Sequence, residues 1–432
     1  MAVPTVISQI IILIYNLADT FFVGKTDNPY MVAATSLILP VFNITLSLAA
    51  LTGVGGGSLI SRLLGENRRD EAKKVSSFSI YLSIAVTAVF SLIMAVFMTP
   101  ILNLLGASSE TFLFAKQYSF CVIVLGGIPT VLSNVLSNLL RSSGASKQAG
   151  FGITMGGLIN IALDPLFMYV LLPRGYEILG VGIATCLSNC IACAYFLCVI
   201  CKMRQSSVIS LSAKLGLPEK KSVLSILNVG FPSALATLLF DLDYIVIDKL
   251  MVAYGDIALA SIGIVLKAER LPLNVGIGIC QGMMPIVAYN FSSKNYKRMN
   301  DTVKFSRRVG LITAAFSIVL YELTASYIMR MFIADAGTVA LGTDFLRIRI
   351  LATPLMFLSF FTVYLFQGFG KGNKALFLGV MRWVVFNIPM LFILNGIIGM
   401  YGIVWSQVTA DIFTVALSIY VYNRYKKKSG TY

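Results

Sequence analysis

The chain opens with VPTVISQIIILIYNLADTFFVG at residues 3–24, an apolar run that contains a single carboxylate, Asp19. As a helix, a run of this length crosses the roughly 30 Å hydrocarbon layer of a membrane. A carboxylate near the centre of such a helix costs about 2.5–3.5 kcal/mol on insertion scales. A residue that costly faces a cavity, finds a partner or carries function, so Asp19 is a candidate functional residue.

The same pattern continues through the remaining chain. Of the 432 residues, 57% are hydrophobic and 12% are charged, about half the charge of a soluble domain, and the mean hydropathy is +0.84. The alternation typical of a membrane β-barrel is absent. We therefore predict an all-α polytopic membrane protein. Its twelve predicted spanning helices are 2–24, 34–61, 78–104, 115–140, 149–172, 178–201, 223–250, 257–288, 307–333, 346–369, 375–398 and 401–423.

The net charge of +15 follows membrane topology and does not indicate a nucleic-acid partner. Of 34 Lys and Arg residues, 24 lie in five alternate loops and the C-terminal segment. By the positive-inside rule, those loops and both termini are cytoplasmic. We expect a multi-pass protein of the plasma membrane (the inner membrane in a Gram-negative cell) that contacts the lipid bilayer as a monomer.

The second half of the sequence repeats the first. Pro4 matches Pro232 at an offset of 228, Phe78 matches Phe305 at 227, and Gly144 falls near Gly370 at 226. Each half holds six predicted spans, so the two halves enter the membrane from the same side and are related by a pseudo-two-fold axis along its normal. We predict two lobes, 1–202 and 223–432, joined by a cytoplasmic linker at 203–222. This layout is typical of secondary transporters with alternating access.

A second acid lies in the fifth span at a depth similar to that of Asp19. The stretch GGLINIALDPLF at 156–167 places Asn160 and Asp164 four residues apart, on one helix face. Pro165 cannot donate a hydrogen bond to the preceding turn, which bends the helix and frees a carbonyl oxygen. Together these groups form an oxygen-rich nest.

Two chemistries suit such a nest. Two adjacent carboxylates in a low dielectric cannot both stay charged, so the pair would load and release a proton. Alternatively, the oxygens of Asp19, Asn160 and Asp164 would hold a dehydrated Na⁺. The sequence leaves both open, together with the simpler interpretation that these side chains only hydrogen-bond neighbouring helices.

The second half has its own acids. The seventh span carries DLDYIVIDKL at 241–250, with Asp241 and Asp243, and Glu269 follows on the eighth span. They indicate either an ion-pair network with Lys267 and Arg270 or a second group for coupling or substrate binding. Glu322 and Asp411 are isolated in the sequence, and we interpret them as structural.

No motif indicates catalysis or a resident cofactor. The chain has no histidine, and no GxSxG, HExxH or phosphate-binding loop occurs. Five of the seven cysteines lie on the sixth predicted span, but their apolar surroundings favour small apolar packing residues over a metal site. We predict a protein that is not an enzyme, and we give a prenyltransferase using clustered aspartates with Mg²⁺ little weight because the usual paired-acid spacing is absent.

Several stretches resemble the MATE (multidrug and toxic compound extrusion) transporters over residues 2 to about 425. The first helix is one, and the others are GENRRDEAKK after the second span, NIALDP in the fifth and QGMMPIVAYNFSSKNYKR ending the eighth. The pattern is most similar to the branch of bacterial multidrug exporters and DNA-damage-inducible homologues. The resemblance implies twelve helices in two six-helix lobes, and export of organic cations in exchange for H⁺ or Na⁺.

The resemblance also implies roles for particular residues. The first-helix acid of the family falls on Asp19, and its fifth-helix Asn and Asp fall on Asn160 and Asp164. A sixth-helix threonine falls on Thr185, and a proline that bends the first helix falls on Pro4. The seventh-helix glutamate that some members use has no direct counterpart, because the nearest acids here are Asp241 and Asp243.

We therefore expect a secondary active multidrug efflux antiporter for drug-like, lipophilic organic cations, working by alternating access with H⁺ or Na⁺ as the coupling ion and no cofactor. The alternative is a flippase for lipids or lipid-linked saccharides of the same architecture. That activity would favour a cavity rich in Arg and Lys, and Lys267, Arg270 and Arg382 keep it open.

Overall fold

The computed structural model describes residues 2–26, 28–205 and 207–429, apart from the side chains at 241, 428 and 429. Every regular element in this part of the chain is helical. Ten helices are long and apolar enough to span a membrane, or twelve when each of two bent pairs counts as one span. The predicted all-α polytopic architecture is confirmed.

We number the spans in chain order. They are α1 (Ala2–Gly24), α2 (Pro29–Gly65), α3 (Arg69–Val96), α4 (Ser109–Leu125 with Gly127–Ser142), α5 (Ser146–Leu171), α6 (Glu177–Lys202), α7 (Lys220–Tyr254), α8 (Asp256–Ser292), α9 (Tyr296–Phe332), α10 (Ala336–Ile350 with Thr353–Gly368), α11 (Gly372–Ile398) and α12 (Met400–Lys427).

The third predicted span, 78–104, was placed wrongly. Helix α3 ends at Val96, and a separate short helix, Met98–Leu104, follows the break at Phe97. Pro100 lies in the first turn of that short helix, where its missing amide hydrogen removes no helical hydrogen bond. In the interior of a continuous α3 the same proline would have broken the helix.

The bent spans α4 and α10 each contain a local irregularity. Helix α4 turns by 47° next to Gly126, directly after a π-helical segment, Phe120–Leu125. Helix α10 turns by 45°, and its second part restarts with Pro354 in the first turn. Helix α10 also begins ten residues earlier than predicted, at Ala336. Arg349 therefore lies inside the span, where it is buried, and not at the end of the span.

The described chain divides into two compact units, residues 3–234 and the residues from Leu235 onward, with the boundary inside α7. In the first unit, α2 packs against α3 and both parts of α4, and α5 packs against α6. The GVGGG run at 53–57 makes these contacts close. A Cβ atom on Gly56 would lie 2.3 Å from the Ser79 Oγ of α3, and one on Gly57 would lie 2.5 Å from the Ser142 Oγ of α4.

The linker that precedes α7 packs on this first unit. Val208 and Ile209 are buried in its apolar core, and the hydroxyl of Ser76 on α3 donates to the Val208 carbonyl at 3.0 Å. The Glu71 carboxylate of α3 accepts hydrogen bonds from the Ser222 hydroxyl at 2.7 Å and from the Glu219 amide at 3.0 Å. Glu71 therefore supplies acceptors for the first turn of α7.

The second unit is organised around α8. Helix α8 consists of two parts, Asp256–Ala268 and Arg270–Ser292. These pack against the first and second parts of α10, the second part of α8 also packs against α9, and α11 pairs with α12. Phe345, Ile350 and Ile403 are among the fully buried residues of its core. At the loop before α10, Asp335 accepts hydrogen bonds from the amide and hydroxyl of Thr338, which hold the pKa of its carboxyl below the usual value.

Candidate functional site

The four predicted coupling residues of the first half lie on three adjacent helices of the first unit. Asp19 is on α1, Asn160 and Asp164 are on α5, and Thr185 is on α6. Asp164 is 0% exposed, Asn160 2% and Thr185 6%. The Asn160 side-chain amide donates to the Thr185 hydroxyl at 3.4 Å, which links α5 to α6. The structure brings these residues together, whereas their roles stay predictions.

The carboxyl groups of Asp19 and Asp164 lie within hydrogen-bonding reach of each other. Buried Oδ1 of Asp19, both oxygens of Asp164 and Oδ1 of Asn160 have no hydrogen-bond donor among the described residues. Ionised carboxylates only accept hydrogen bonds, so the two acids cannot satisfy one another without a shared proton or a cation. The atoms that could bind an ion here are all oxygens, which suits H⁺ or a hard cation such as Na⁺.

Glycines on α5 allow α1 to approach closely enough to form this pair. A Cβ atom on Gly150 would lie 2.6 Å from the Pro4 carbonyl oxygen, and one on Gly157 would lie 2.7 Å from Cγ2 of Ile11 and 3.1 Å from the Tyr15 ring. Any larger residue at these positions pushes the two helices apart. The depth of Asp19 relative to Asp164 therefore depends on backbone contact between α1 and α5.

The helical pattern of α5 changes directly after the site. The α-helical part ends at Pro165, and a π-helical segment, Leu166–Leu171, follows. Proline cannot donate to the carbonyl four residues earlier, and π-turns inside helices are frequent at functional sites. The predicted bending proline of α1, Pro4, lies in the first turn of the described helix and contacts α5 through its carbonyl.

Two tyrosines also belong to this site, although they were not predicted from the sequence. The hydroxyl groups of Tyr15 on α1 and Tyr118 on α4 lie near enough to Asp19 to interact with its charge, and Tyr118 also faces Asp164. Tyr15 precedes Asp19 by four residues, the spacing of one helix face, and that signal could have identified it. Nothing in the local sequence around Tyr118 indicates its position.

A second polar cluster lies in the second unit, around Asp243 on α7. Asp243 is 0% exposed, and the side-chain amide of Asn387 on α11 donates a hydrogen bond to its Oδ1. Its Oδ2 has no donor among the described residues. Of the three acids predicted for this half, the side chain of Asp241 lies outside the described part of the structure.

The third predicted acid, Glu269, forms a buried two-pronged ion pair with Arg349. The Nε and Nη2 atoms of Arg349 lie 2.7 and 2.8 Å from the two carboxylate oxygens. The predicted pairing with Lys267 and Arg270 is wrong for Glu269, because Arg349 reaches it from α10. Arg270 instead stacks on the Tyr244 ring, 5.0 Å from its centre.

The interpretation of Asp411 and Glu322 as isolated is also wrong. Asp411 is fully buried and pairs with Arg382 of α11 at 2.9 Å, while the Gln407 amide donates to it at 2.6 Å. Glu322 forms a partly exposed ion pair with Arg347 at 3.5 Å. Neither pair was predicted from the sequence, because each joins residues on two different helices.

The three acids of this second cluster differ in their partners. Glu269 and Asp411 each form an ion pair with one arginine, whereas Asp243 accepts a hydrogen bond from the neutral amide of Asn387 and lies near enough to Arg349 and Arg382 to interact with their charges. Among the described residues, Asp243 forms no ion pair, and its Oδ2 has no hydrogen-bond donor. In this respect Asp243 resembles the carboxylates of α1 and α5.

Twelve spanning helices, an internal repeat and buried carboxylates that form no ion pair among the described residues together define a helical membrane transporter. The sequence model of the family described as MatE matches residues 4–166 and again residues 232–393, once in each half. The chain belongs to the MatE family, as the resemblance implied.

Known relatives cover the chain almost completely. It is 32% identical to the "Multidrug export protein MepA" of Staphylococcus saprophyticus and 31% identical to that of Staphylococcus aureus, in each case over 98% of this chain and 92% of the relative. Among solved structures, "MATE in complex with MaL6" and an outward-facing multidrug resistance MATE transporter each superpose with a TM-score of 0.93. Both are 22% identical and cover 99% of this chain and 95% of their own. These similarities establish the twelve-helix fold.

Proposed function

We propose that the chain is a secondary active multidrug efflux antiporter that exports lipophilic organic cations in exchange for H⁺ or Na⁺ by alternating access. Family membership and the names of the multidrug export relatives support a small-molecule exporter. The coupling chemistry rests on one observation, the facing carboxyl groups of Asp19 and Asp164 without a donor between them.

Uptake of one ion by this pair is the coupling step. A proton would bridge the two carboxyl groups, whereas Na⁺ would be held by their oxygens with Asn160 Oδ1, which also lacks a donor. Either ion removes the repulsion between two buried charges and draws α1 toward α5. Because α1 contacts α5 at Gly150 and Gly157, this change alters how the whole of α1 packs. Release of the ion reverses it.

The second cluster supplies a further ion-responsive group in this proposal. Asp243 has one oxygen without a hydrogen-bond donor among the described residues, as the acids of the first cluster do. Glu269 is excluded from the coupling step because Arg349 neutralises it with two hydrogen bonds. Asp243 then binds either a second coupling ion or the cationic group of the exported molecule.

The membrane potential favours the exchange when more than one ion enters for each organic cation exported, because a one-for-one exchange moves no net charge. Each net positive charge that enters the cytoplasm then releases about 2.3 kcal/mol per 100 mV, which is available to drive export. This direction requires a plasma-membrane protein with both termini in the cytoplasm, as the distribution of Lys and Arg predicts. A monomer suffices, since each chain holds both clusters.

The flippase alternative loses support because two of its three cationic residues, Arg270 and Arg382, are occupied. Arg382 pairs with Asp411 and stacks between the rings of Phe360 and Trp383, at 4.5 and 4.3 Å. Arg270 stacks on Tyr244. These guanidinium groups are engaged within the protein and are poorly placed to bind a diphosphate headgroup.

Proteoliposomes with separately imposed pH and Na⁺ gradients test the proposal. An inward gradient of one of the two ions should drive a cationic dye in the opposite direction. Asp19→Asn and Asp164→Asn should each abolish that transport. Asp301→Asn, which changes an exposed acid on α9, should transport normally. Gradient-driven transport that persists in both variants of the pair would refute the coupling role.

A further inference from the structure

The buried ion pair of Glu269 with Arg349 lies where two helices of the second unit break. Glu269 separates the two parts of α8, and Arg349 lies in the last turn of the first part of α10. The second part of α10 begins at Thr353, after a turn of 45°. The pair therefore joins α8 to α10 at the break in each helix.

The break in α8 follows from its sequence and is supported by neighbouring helices. Pro272 has no amide hydrogen, so it cannot donate to the carbonyl of Ala268, four residues earlier. The hydroxyl of Tyr321 on α9 donates to that carbonyl instead, at 2.9 Å. The hydroxyl of Tyr244 on α7 donates to the Glu269 carboxylate at 3.2 Å. Side chains of α7, α9 and α10 thus meet at this break.

Arg349 and Asp243 each have one buried polar atom without a partner. Arg349 donates to Glu269 through Nε and Nη2, and its Nη1 has no acceptor among the described residues. Oδ2 of Asp243 likewise has no donor in the described part of the chain. The two side chains lie near enough for their charges to interact. Because buried polar atoms are nearly always paired, this complementary donor and acceptor indicate a hydrogen bond that forms in one ionisation state of Asp243.

The other charged groups near Asp243 are engaged elsewhere. They are Arg382 and Glu269. The Nε of Arg382 lies 2.9 Å from the Asp411 carboxylate, and its guanidinium group stacks on two aromatic rings. Glu269 is neutralised by Arg349. Of the two arginines near Asp243, Arg349 is therefore the better placed to bind it.

The internal repeat shows that the fold does not require an ion pair here. At an offset of 227, Phe42 and Val122 correspond to Glu269 and Arg349. Both belong to one apolar cluster of the first unit, and α2 continues without a break through Phe42. A buried ion pair is often no more stabilising than apolar residues in its place. The pair in the second half therefore indicates a role beyond packing.

We propose that Arg349 is a positioning residue for the ion step in the second unit. When Asp243 is ionised, Nη1 of Arg349 donates to its Oδ2, while Nε and Nη2 retain their bonds to Glu269. A proton or cation bound at Asp243 displaces this additional hydrogen bond, and the change reaches the breaks of α8 and α10 through Arg349. This inference rests on the ion-responsive role proposed above for Asp243 and adds the residue that transmits its effect.

The test uses the purified full-length protein in a non-ionic detergent. Asp19→Asn and Asp164→Asn are introduced together so that the first cluster takes up no ion, and this protein is the parent. Its thermal unfolding midpoint is measured against pH and, separately, against Na⁺ at constant ionic strength. Binding to the folded state raises the midpoint. The difference between the parent and the parent with Asp243→Asn isolates the ion bound at Asp243.

Loss of the free Nη1 should tighten ion binding, because it removes the competitor for Asp243. Arg349→Lys retains a positive charge for Glu269 but has no second arm. Its half-saturating ion concentration should be about tenfold lower than that of the parent, or its midpoint about one pH unit higher, as for one lost hydrogen bond to a charged group. The double change Glu269→Gln with Arg349→Met should shift it in the same direction. Arg347→Lys, in the exposed pair two residues away, should match the parent.

Hydrogen exchange tests whether the effect reaches the helix breaks. The amides of residues 268–273 and 350–355 should exchange at different rates in the ion-free and ion-saturated parent, but at equal rates in Arg349→Lys. If Asp243→Asn responds to ions as the parent does, Asp243 takes up no ion, and its proposed role falls together with this inference. If the parent binds an ion at Asp243 but Arg349→Lys and the double change leave its affinity unaltered, or the parent's two breaks exchange equally with and without the ion, the role of Arg349 alone is refuted.

Discussion

Asn160 and Asn387 stand 227 positions apart, and each donates a side-chain hydrogen bond within its own half of the protein. Asn160 donates its side-chain amide to Thr185 beside a buried acid of α5, and Asn387 donates to the buried acid of α7. Each lies on a helix with a π-helical segment, Leu166–Leu171 in α5 and Met381–Asn387 in α11. Both halves therefore have an amide at the same position of the repeat, but its hydrogen-bond acceptor is a hydroxyl in the first half and a carboxylate in the second.

This arrangement predicts opposite behaviour for two buried acids of the second unit. Asp243→Asn removes a buried charge that forms no ion pair among the described residues, so the free energy of unfolding should stay unchanged or rise while dye efflux falls. Asp411→Asn leaves Arg382 unpaired and should cost about 3–5 kcal/mol. Chemical denaturation in detergent and efflux at equal surface expression measure the two effects. A loss of stability in Asp243→Asn as large as that in Asp411→Asn would contradict this account.

The ion pair of Glu269 with Arg349 should behave as a buried unit. Removing either partner, in Glu269→Gln or Arg349→Met, leaves the other charge buried and unpaired. Each change should lower the free energy of unfolding by about 3–5 kcal/mol. The double variant should cost clearly less than the two single changes together, because it leaves no unpaired charge.

The exposed pair of Glu322 with Arg347 is the matched control. Its side chains are 39% and 49% exposed, and the corresponding changes should cost no more than about 1 kcal/mol. Double-mutant cycles from urea or thermal unfolding compare the two pairs directly. Additive effects in the Glu269–Arg349 cycle would show that the buried pair does not act as a unit.

Much of the architecture was predictable because it follows from the hydrocarbon thickness of a membrane. Apolar runs long enough to cross it predict the number of spans. The i, i+4 spacing of Asn160 and Asp164 predicts the part of the first site that lies on α5. The predicted tenth span, 346–369, places Arg349 near its start, since a lone charge gives no sign of a partner on another helix. Tyr118 and the Arg382–Asp411 pair were missed for the same reason. Tertiary contacts between helices determine them, and spacing along one helix does not.

The close contact of α1 with α5 predicts an effect of single methyl groups. A Cβ atom on Gly157 would lie 2.7 Å from Ile11 and 3.1 Å from the Tyr15 ring, so Gly157→Ala should push α1 away from Asp164 and reduce efflux. Overpacking of this kind costs about 1–3 kcal/mol. At Gly24 a Cβ atom would meet nothing within 4 Å, and Gly24→Ala should change stability by less than about 1 kcal/mol. Equal efflux in the two variants would show that helix spacing does not control the site.

The hydrogen bonds of Glu71 predict that this carboxylate fixes the end of the linker and the first turn of α7 on the first unit. In Glu71→Ala, the Ser222 hydroxyl and the Glu219 amide lose their acceptor, which should cost about 0.5–2 kcal/mol, as for a lost helix cap. Hydrogen exchange should then accelerate in the linker and the first turn of α7. Asp70→Ala is the matched control, because Asp70 is also in the first turn of α3 but its side chain is 95% exposed. If both variants exchange at the same rate, the linker is held by its buried residues Val208 and Ile209 and not by Glu71.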